Sequence, residues 1–247
     1  MKVFITGGTT GLGLELARKY RTDGWLVGVC GRDLSKLPED VANDEMIKGY
    51  SADVKDRARM REVIEEFAQG ELDLIIANAG RSVGKKTTMP DFEASRDVIE
   101  INVMGVLNTF EPAIELMIKQ NRGHIVAIAS VAGMVGLPGA APYSASKAAV
   151  LKLCESYSLD LKRFNIDVTV IAPGFVDTPL TRKNNHPMPF LMDAPKAARL
   201  MKAAIDKKKV RYLFPWQMKL VMETLSRLPR CLYRRIMGIK KFNYSSN

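Results

Sequence analysis

Seven short apolar-rich runs of strand length recur along the chain, at Val3–Ile5, Leu26–Cys30, Met46–Ala52, Leu72–Ala77, Ile125–Ala129, Val168–Ala172 and Val210–Phe214. Most are apolar at successive positions, so both faces of each strand need cover. The segments between them carry apolar residues at helical spacing, such as Val63, Ile64 and Phe67, or Ile114, Met117 and Ile118. Strands alternating with helices imply a parallel sheet covered on both sides, and right-handed crossovers wind it doubly. The expected fold is therefore α/β, a doubly wound parallel sheet of about seven strands. At 247 residues the chain fits one such domain, and 47% hydrophobic with 26% charged residues is ordinary for a globular protein.

Several classes are set aside at this stage. The sequence has no run of about 18 apolar residues to span a bilayer. The opening "MKVFITGG" enters a strand directly and does not read as a signal peptide. Cys30, Cys154 and Cys231 are too few and too scattered for a disulfide framework, and with only two histidines no metal site is expected. These features read as a reduced, cytoplasmic protein. The formal charge of +10 is confined to one place: residues 207–247 hold eleven Lys and Arg against the single acid Glu223, and the remainder balances.

The first strand runs into "TGGTTGLG", with Gly7, Gly11 and Gly13 placed before a helix expected to begin near Leu14. Such a turn lets backbone approach a pyrophosphate, whose charge meets the N–H groups of a helix start. At the end of the second strand an acid would hold a ribose 2′-hydroxyl, whereas an arginine suits a 2′-phosphate. Here Gly31 is followed by Arg32, with Asp33 one place later, which favours NADP(H) with NAD(H) as the alternative.

In "YSASK" a phenol and an ammonium, Tyr143 and Lys147, stand four residues apart and share a face if the segment is helical. Hydride addition to a carbonyl leaves an alkoxide that needs a proton. A phenol of pKa about 10 is a sluggish donor at neutral pH, and a neighbouring ammonium would lower that value. Ser130, ending the run "HIVAIAS", could orient the substrate oxygen. A half-exposed surface pair is the alternative for Tyr143 and Lys147.

Together "TGGTTGLG", "ADV" (52–54), "ANAG" (77–80), "INVMG" (101–105), Ser130, "YSASK" and "PGFVDT" (173–178) resemble, in order and spacing, the short-chain dehydrogenase/reductase family of about 250 residues. The resemblance implies a Rossmann-type domain over residues 1–214. It implies a catalytic tetrad of Asn102, Ser130, Tyr143 and Lys147, with Asn102 sustaining a proton relay to the lysine. The nicotinamide cofactor would be held by Thr6, Gly7, Thr9, Thr10, Gly11, Leu12 and Gly13 in the glycine turn, and by Arg32. Asp53 would meet the adenine amino group and Val54 its ring, while Asn78, Ala79 and Gly80 pass the ribose. Tyr143 and Lys147 would also touch the cofactor, and Pro173, Gly174, Val176 and Thr178 would hold its carboxamide and pyrophosphate. The expected function is interconversion of a carbonyl and a secondary alcohol on a small, hydrophobic molecule. The alternative is a catalytically silent nucleotide sensor on the same fold. Residues 178–195 read as a substrate lid, with His186 as a lid or loop residue, and a homodimer is expected.

Residues 215–247 lie outside that pattern. Met218, Val221, Met222, Leu225 and Leu228 repeat at helical spacing, and a second short segment follows Pro229 with Arg230, Arg234 and Arg235. This basic amphipathic extension could pack on the domain or a second subunit, or lie on an anionic membrane surface at the inner face of a membrane. Nucleic acid is not expected, because no recognition module is present.

Overall fold

The computed structural model describes residues 1–82, 90–183 and 187–239. Its seven-stranded sheet is built from β1 (Lys2–Thr6), β2 (Leu26–Gly31), β3 (Ile47–Ser51), β4 (Leu74–Ala77), β5 (Gly123–Ile128), β6 (Ile166–Pro173) and β9 (Arg211–Phe214). All pairings are parallel, in the spatial order β3-β2-β1-β4-β5-β6-β9. A separate pair of two-residue strands, β7 (Val176–Asp177) and β8 (Met192–Asp193), follows the sixth strand. The order reverses direction beside β1, so the carboxyl ends of β1 and β4 flank the crevice where a doubly wound sheet binds ligands.

Two apolar layers cover the sheet. On one face α1 (Gly11–Thr22) and α7 (Ala194–Asp206) bury Leu14, Leu16, Ala17, Ala197 and Met201, and the short α2 (Glu39–Ala42) adds Val41. On the other, α3 (Arg57–Ala68), α5 (Gly105–Gln120) and α6 (Ala141–Asp160) bury Met60, Ile64, Phe110, Val150 and Leu151. Aspartates start several helices by accepting an orphan backbone N–H: Asp56 from Arg59 for α3, Asp91 from Ala94 for α4 (Phe92–Ile99), and Asp193 from Lys196 for α7. A π-helical turn, Glu100–Met104, joins α4 to α5.

The extension folds back as α8 (Trp216–Arg227) and α9 (Arg230–Met237). Met218, Met222, Tyr233 and Met237 are buried in the same apolar layer as α5 and α6, with Leu225, Leu228 and Ile236 packed against it. Among the described residues no helix is long and apolar enough to cross a membrane.

His124 is buried within β5 and shares a 2.9 Å hydrogen bond with Thr169 Oγ1 on β6. Burial pushes its pKa down to about 4. The unfolded imidazole takes its proton near pH 6.5, so the unfolded state binds more protons between those values and stability falls as pH drops. The expected loss is roughly 3 kcal/mol by pH 4. A His124→Gln variant should show a flatter melting profile from pH 6.5 to 4, measured by thermal denaturation; an unchanged slope would remove His124 as the cause.

Candidate active site

The glycine turn closes tightly onto β4. Gly7 has φ +63° and lies where a Cβ would meet the Ala79 Cα at 2.8 Å. A Cβ on Gly13 would fall 2.3 Å from the Gly7 carbonyl, so only hydrogen is tolerated there. Thr6 Oγ1 accepts from the backbone N–H groups of Asn78 (3.1 Å) and Ala79 (3.2 Å). Asn78 Nδ2 in turn donates to the carbonyls of Thr6 and Gly7, each at 3.0 Å. Helix α1 starts earlier than Leu14, at Gly11, and its cap Thr10 makes no side-chain capping bond. The first-turn N–H groups are therefore available to an anion. Thr178, held by Thr181, packs its Cβ against Gly11, which brings the segment after β6 to the same turn. Leu12 is half-buried in α1, Thr9 lies against Gly31, and Val176 is buried.

Arg32 is exposed directly after β2 and makes no ion pair among the described residues. Asp33 is occupied instead: its carboxylate accepts from Ser35 N and Ser35 Oγ, and these bonds with Lys36 hold its pKa below the ordinary value. Asp53 is an Asx turn accepting from Lys55 N at 3.0 Å, and the helix cap next to it is Asp56. Val54 lies next to Asp53. Its side chain is buried against Gly105 in the apolar layer, leaving Asp53 as the member of the pair that is accessible at the surface.

The four polar residues expected at the reaction centre come together at the carboxyl ends of β4 and β5. Asn102, fully buried in the π-helical turn, accepts from Arg81 N (2.8 Å) and donates to Arg81 O and Ser146 Oγ, both at 2.9 Å. Ser146 Oγ donates to Tyr143 O at 2.8 Å. Tyr143 and Lys147 share one face of α6, with Lys147 Nζ 5.8 Å from the phenol ring centroid. The ammonium donates to Ile128 O at 2.8 Å and lies beside Gly80, where a Cβ would sit 3.5 Å from it and 3.4 Å from Asn102 Oδ1. Ser130 follows β5, caps the turn Val131–Gly133 through Ala132 N (3.2 Å), and its hydroxyl is 3.4 Å from Pro173 O.

The electrostatics differ from the sequence expectation. Burial pushes the Tyr143 phenol above its ordinary value, with the Ser130 hydrogen bond acting the other way. Burial also brings Lys147 down to about 8. Desolvation penalises phenolate and ammonium alike, and it is the leading cause at both groups. Lys147 still carries its charge at pH 7, while the phenol stays protonated.

Three contributors were missed in the sequence. Ser146 links Asn102 to the Tyr143 backbone, although "SAS" reads as a plain helix start. Thr181 holds Thr178 in place. Helices α8 and α9 complete the wall beside Ser130: the Met218 side chain crowds Gly174, and the Tyr233 hydroxyl donates to Gly136 O. His186 lies outside the described residues, as does the centre of the expected lid. Among the described residues no group of three His, Cys, Asp or Glu is disposed to hold a metal ion.

The family model for short chain dehydrogenases matches residues 1–189. The chain belongs to the short-chain dehydrogenase family, and its class is that of an oxidoreductase. An uncharacterized oxidoreductase of Myxococcus xanthus is 36% identical over 235 residues, covering 93% of each chain. The 3-oxoacyl-(acyl-carrier-protein) reductase of Thermotoga maritima is 35% identical over 187 residues, covering 72% of this chain and 75% of that one. A short chain dehydrogenase from Burkholderia cenocepacia, solved with NADP, superposes with a TM-score of 0.83 at 24% identity, covering 96% of this chain and 97% of its own.

Proposed function

We propose that the protein is an NADP(H)-dependent reductase that interconverts a carbonyl and a secondary alcohol by hydride transfer. The observation that carries this reading is the meeting of Ser130, Tyr143, Lys147 and Asn102 beside the glycine turn. A bound nicotinamide dinucleotide would supply the hydride, and the residues fit such a group: the uncapped start of α1, the close approach at Gly7 and Gly13, and Thr178 facing Gly11. Ser130 donates to the substrate oxygen and fixes the carbonyl. As hydride reaches the carbonyl carbon, the Tyr143 hydroxyl gives its proton to the oxygen. Lys147 stabilises the phenolate left behind, and Asn102 with Ser146 keeps the tyrosine and lysine in register. Gly174, Pro173 and Val176 line the far side of the crevice. The direct test follows NADPH oxidation with a panel of short and long ketones and aldehydes. Turnover, faster with apolar substrates, is expected; tight NADPH binding with no turnover across the panel would replace the reductase with a nucleotide sensor.

Arg32 would read the 2′-phosphate, a reading supported by its exposure directly after β2 and by the engagement of the neighbouring Asp33 carboxylate with Ser35. A charge-assisted contact contributes about 1.5–3 kcal/mol, or roughly ten- to a hundredfold in affinity. Arg32→Ala should weaken NADPH binding by that factor and leave NADH binding nearly unchanged, as read by cofactor fluorescence titration. Equal losses for both cofactors would reassign Arg32.

A homodimer is part of the same proposal. Phe92 and Ile99 on α4, Met104 beside them and Leu159 on α6 are large apolar side chains left exposed. Sedimentation at micromolar concentration should give twice 27.5 kDa. A species of monomer mass alone would refute it.

A further inference from the structure

The outer faces of α8 and α9 are unlike the rest of the surface. Opposite the buried Met218 and Met222, α8 presents Trp216, Leu220 and Arg227 on one side, with Trp216 70% and Leu220 60% exposed. On α9, Leu232 and Arg235 point away from the buried Tyr233 and Met237. Lys219, Arg227, Arg230, Arg234 and Arg235 are all exposed and form no ion pair among the described residues. On the helices of the sheet layers, by contrast, several arginines are paired: Arg18 with Asp40, Arg21 with Asp44, Arg57 with Glu111 and Arg61 with Glu115. These two short helices thus carry five cations against the single acid Glu223, interleaved with exposed tryptophan, leucine and Val221.

We propose that this face seats the protein on an anionic lipid bilayer. Five unpaired cations match negatively charged headgroups, while Trp216 and Leu220 suit the boundary between headgroups and acyl chains. A second copy of the chain is a poor occupant, because a twofold contact sets these cations against their own equivalents. The site lies at the carboxyl end of the sheet. Through Met218 on Gly174 and Tyr233 on Gly136, α8 and α9 flank Ser130, and exposed Leu180, Phe190 and Leu191 lie at the same end. Docking therefore holds the wall beside Ser130 close to the bilayer, which suits a substrate dissolved in it; that last step rests on the reductase reading, but the docking itself does not.

The experiment uses the full chain and vesicles of phosphatidylcholine with or without phosphatidylglycerol, with no activity readout. At about 0.1 M salt, where screening extends ~10 Å, the protein should co-sediment with phosphatidylglycerol vesicles and much less with phosphatidylcholine alone. At about 1 M salt, with screening near 3 Å, it should be released. Trp216 emission should shift to the blue on the anionic vesicles. The triple variant Arg227→Glu, Arg234→Glu, Arg235→Glu should lose at least tenfold in partitioning. A second variant, Trp216→Ser with Leu220→Ser, should keep the charge, lose the emission shift and bind more weakly. All five side chains are exposed, so melting temperatures should be unchanged. Equal binding to both vesicle types, undiminished binding by the triple variant, or equally tight retention on duplex DNA without an emission shift would each overturn the proposal.

Discussion

Tyr143→Phe should lower turnover by about 10²–10⁴-fold while leaving NADPH affinity close to that of the parent, because general acid catalysis contributes that much and the change removes only the proton donor. The phenylalanine ring keeps the shape of the half-buried tyrosine, so melting temperature is not expected to fall. The pH dependence follows from burial. A phenol held above its ordinary value stays protonated through neutral pH, ready to donate in carbonyl reduction. Alcohol oxidation needs the phenolate, so its rate should keep rising as pH climbs past 8, while reduction does not. Steady-state rates in both directions between pH 6 and 10 would show this. A variant retaining near-normal reduction would remove Tyr143 from the chemistry, and a flat oxidation profile would remove it as the titrating group.

Ending the chain at Phe214 should cost most of the fold's stability. Met218, Met222, Tyr233 and Met237 are buried in the layer shared with α5 and α6. Each buried apolar side chain of this size contributes about 1.5–3 kcal/mol, so the four together reach roughly 6–12 kcal/mol. That is comparable with the whole stability of an ordinary domain, about 5–15 kcal/mol. The truncated chain should be insoluble, or soluble without a cooperative melt. A cooperative transition near the parent melting temperature would show that residues 1–214 stand alone, and that the extension is only an attachment.

The strands were legible because a sheet covered on both faces demands continuous apolar runs, and Leu74–Ala77 and Ile166–Pro173 stand close to where such runs lie. The centre was legible because Tyr143 and Lys147 must share one face of a helix once the segment is helical. Short elements escaped. β7 and β8 have two residues each, too few for any periodicity, and they exist because Met192 N finds the Phe175 carbonyl at 3.0 Å. The π-helical turn around Asn102 leaves no mark in "EINVM", since one extra residue per turn is a matter of tertiary packing. The phenol's tuning ran opposite to expectation because spacing reveals the neighbouring charge but not the depth of burial.

The clasp of Tyr233 on the Gly136 carbonyl has a consequence for biosynthesis. Translation runs from the amino end, and domains condense in that order. The glycine turn, Tyr143 and Lys147 all emerge before α9, yet the backbone just beyond Ser130 gains its partner only when residue 233 has left the ribosome. Until then both the apolar layer shared with α5 and α6 and the wall beside Ser130 are unfinished. That wall is complete only when the last helix closes.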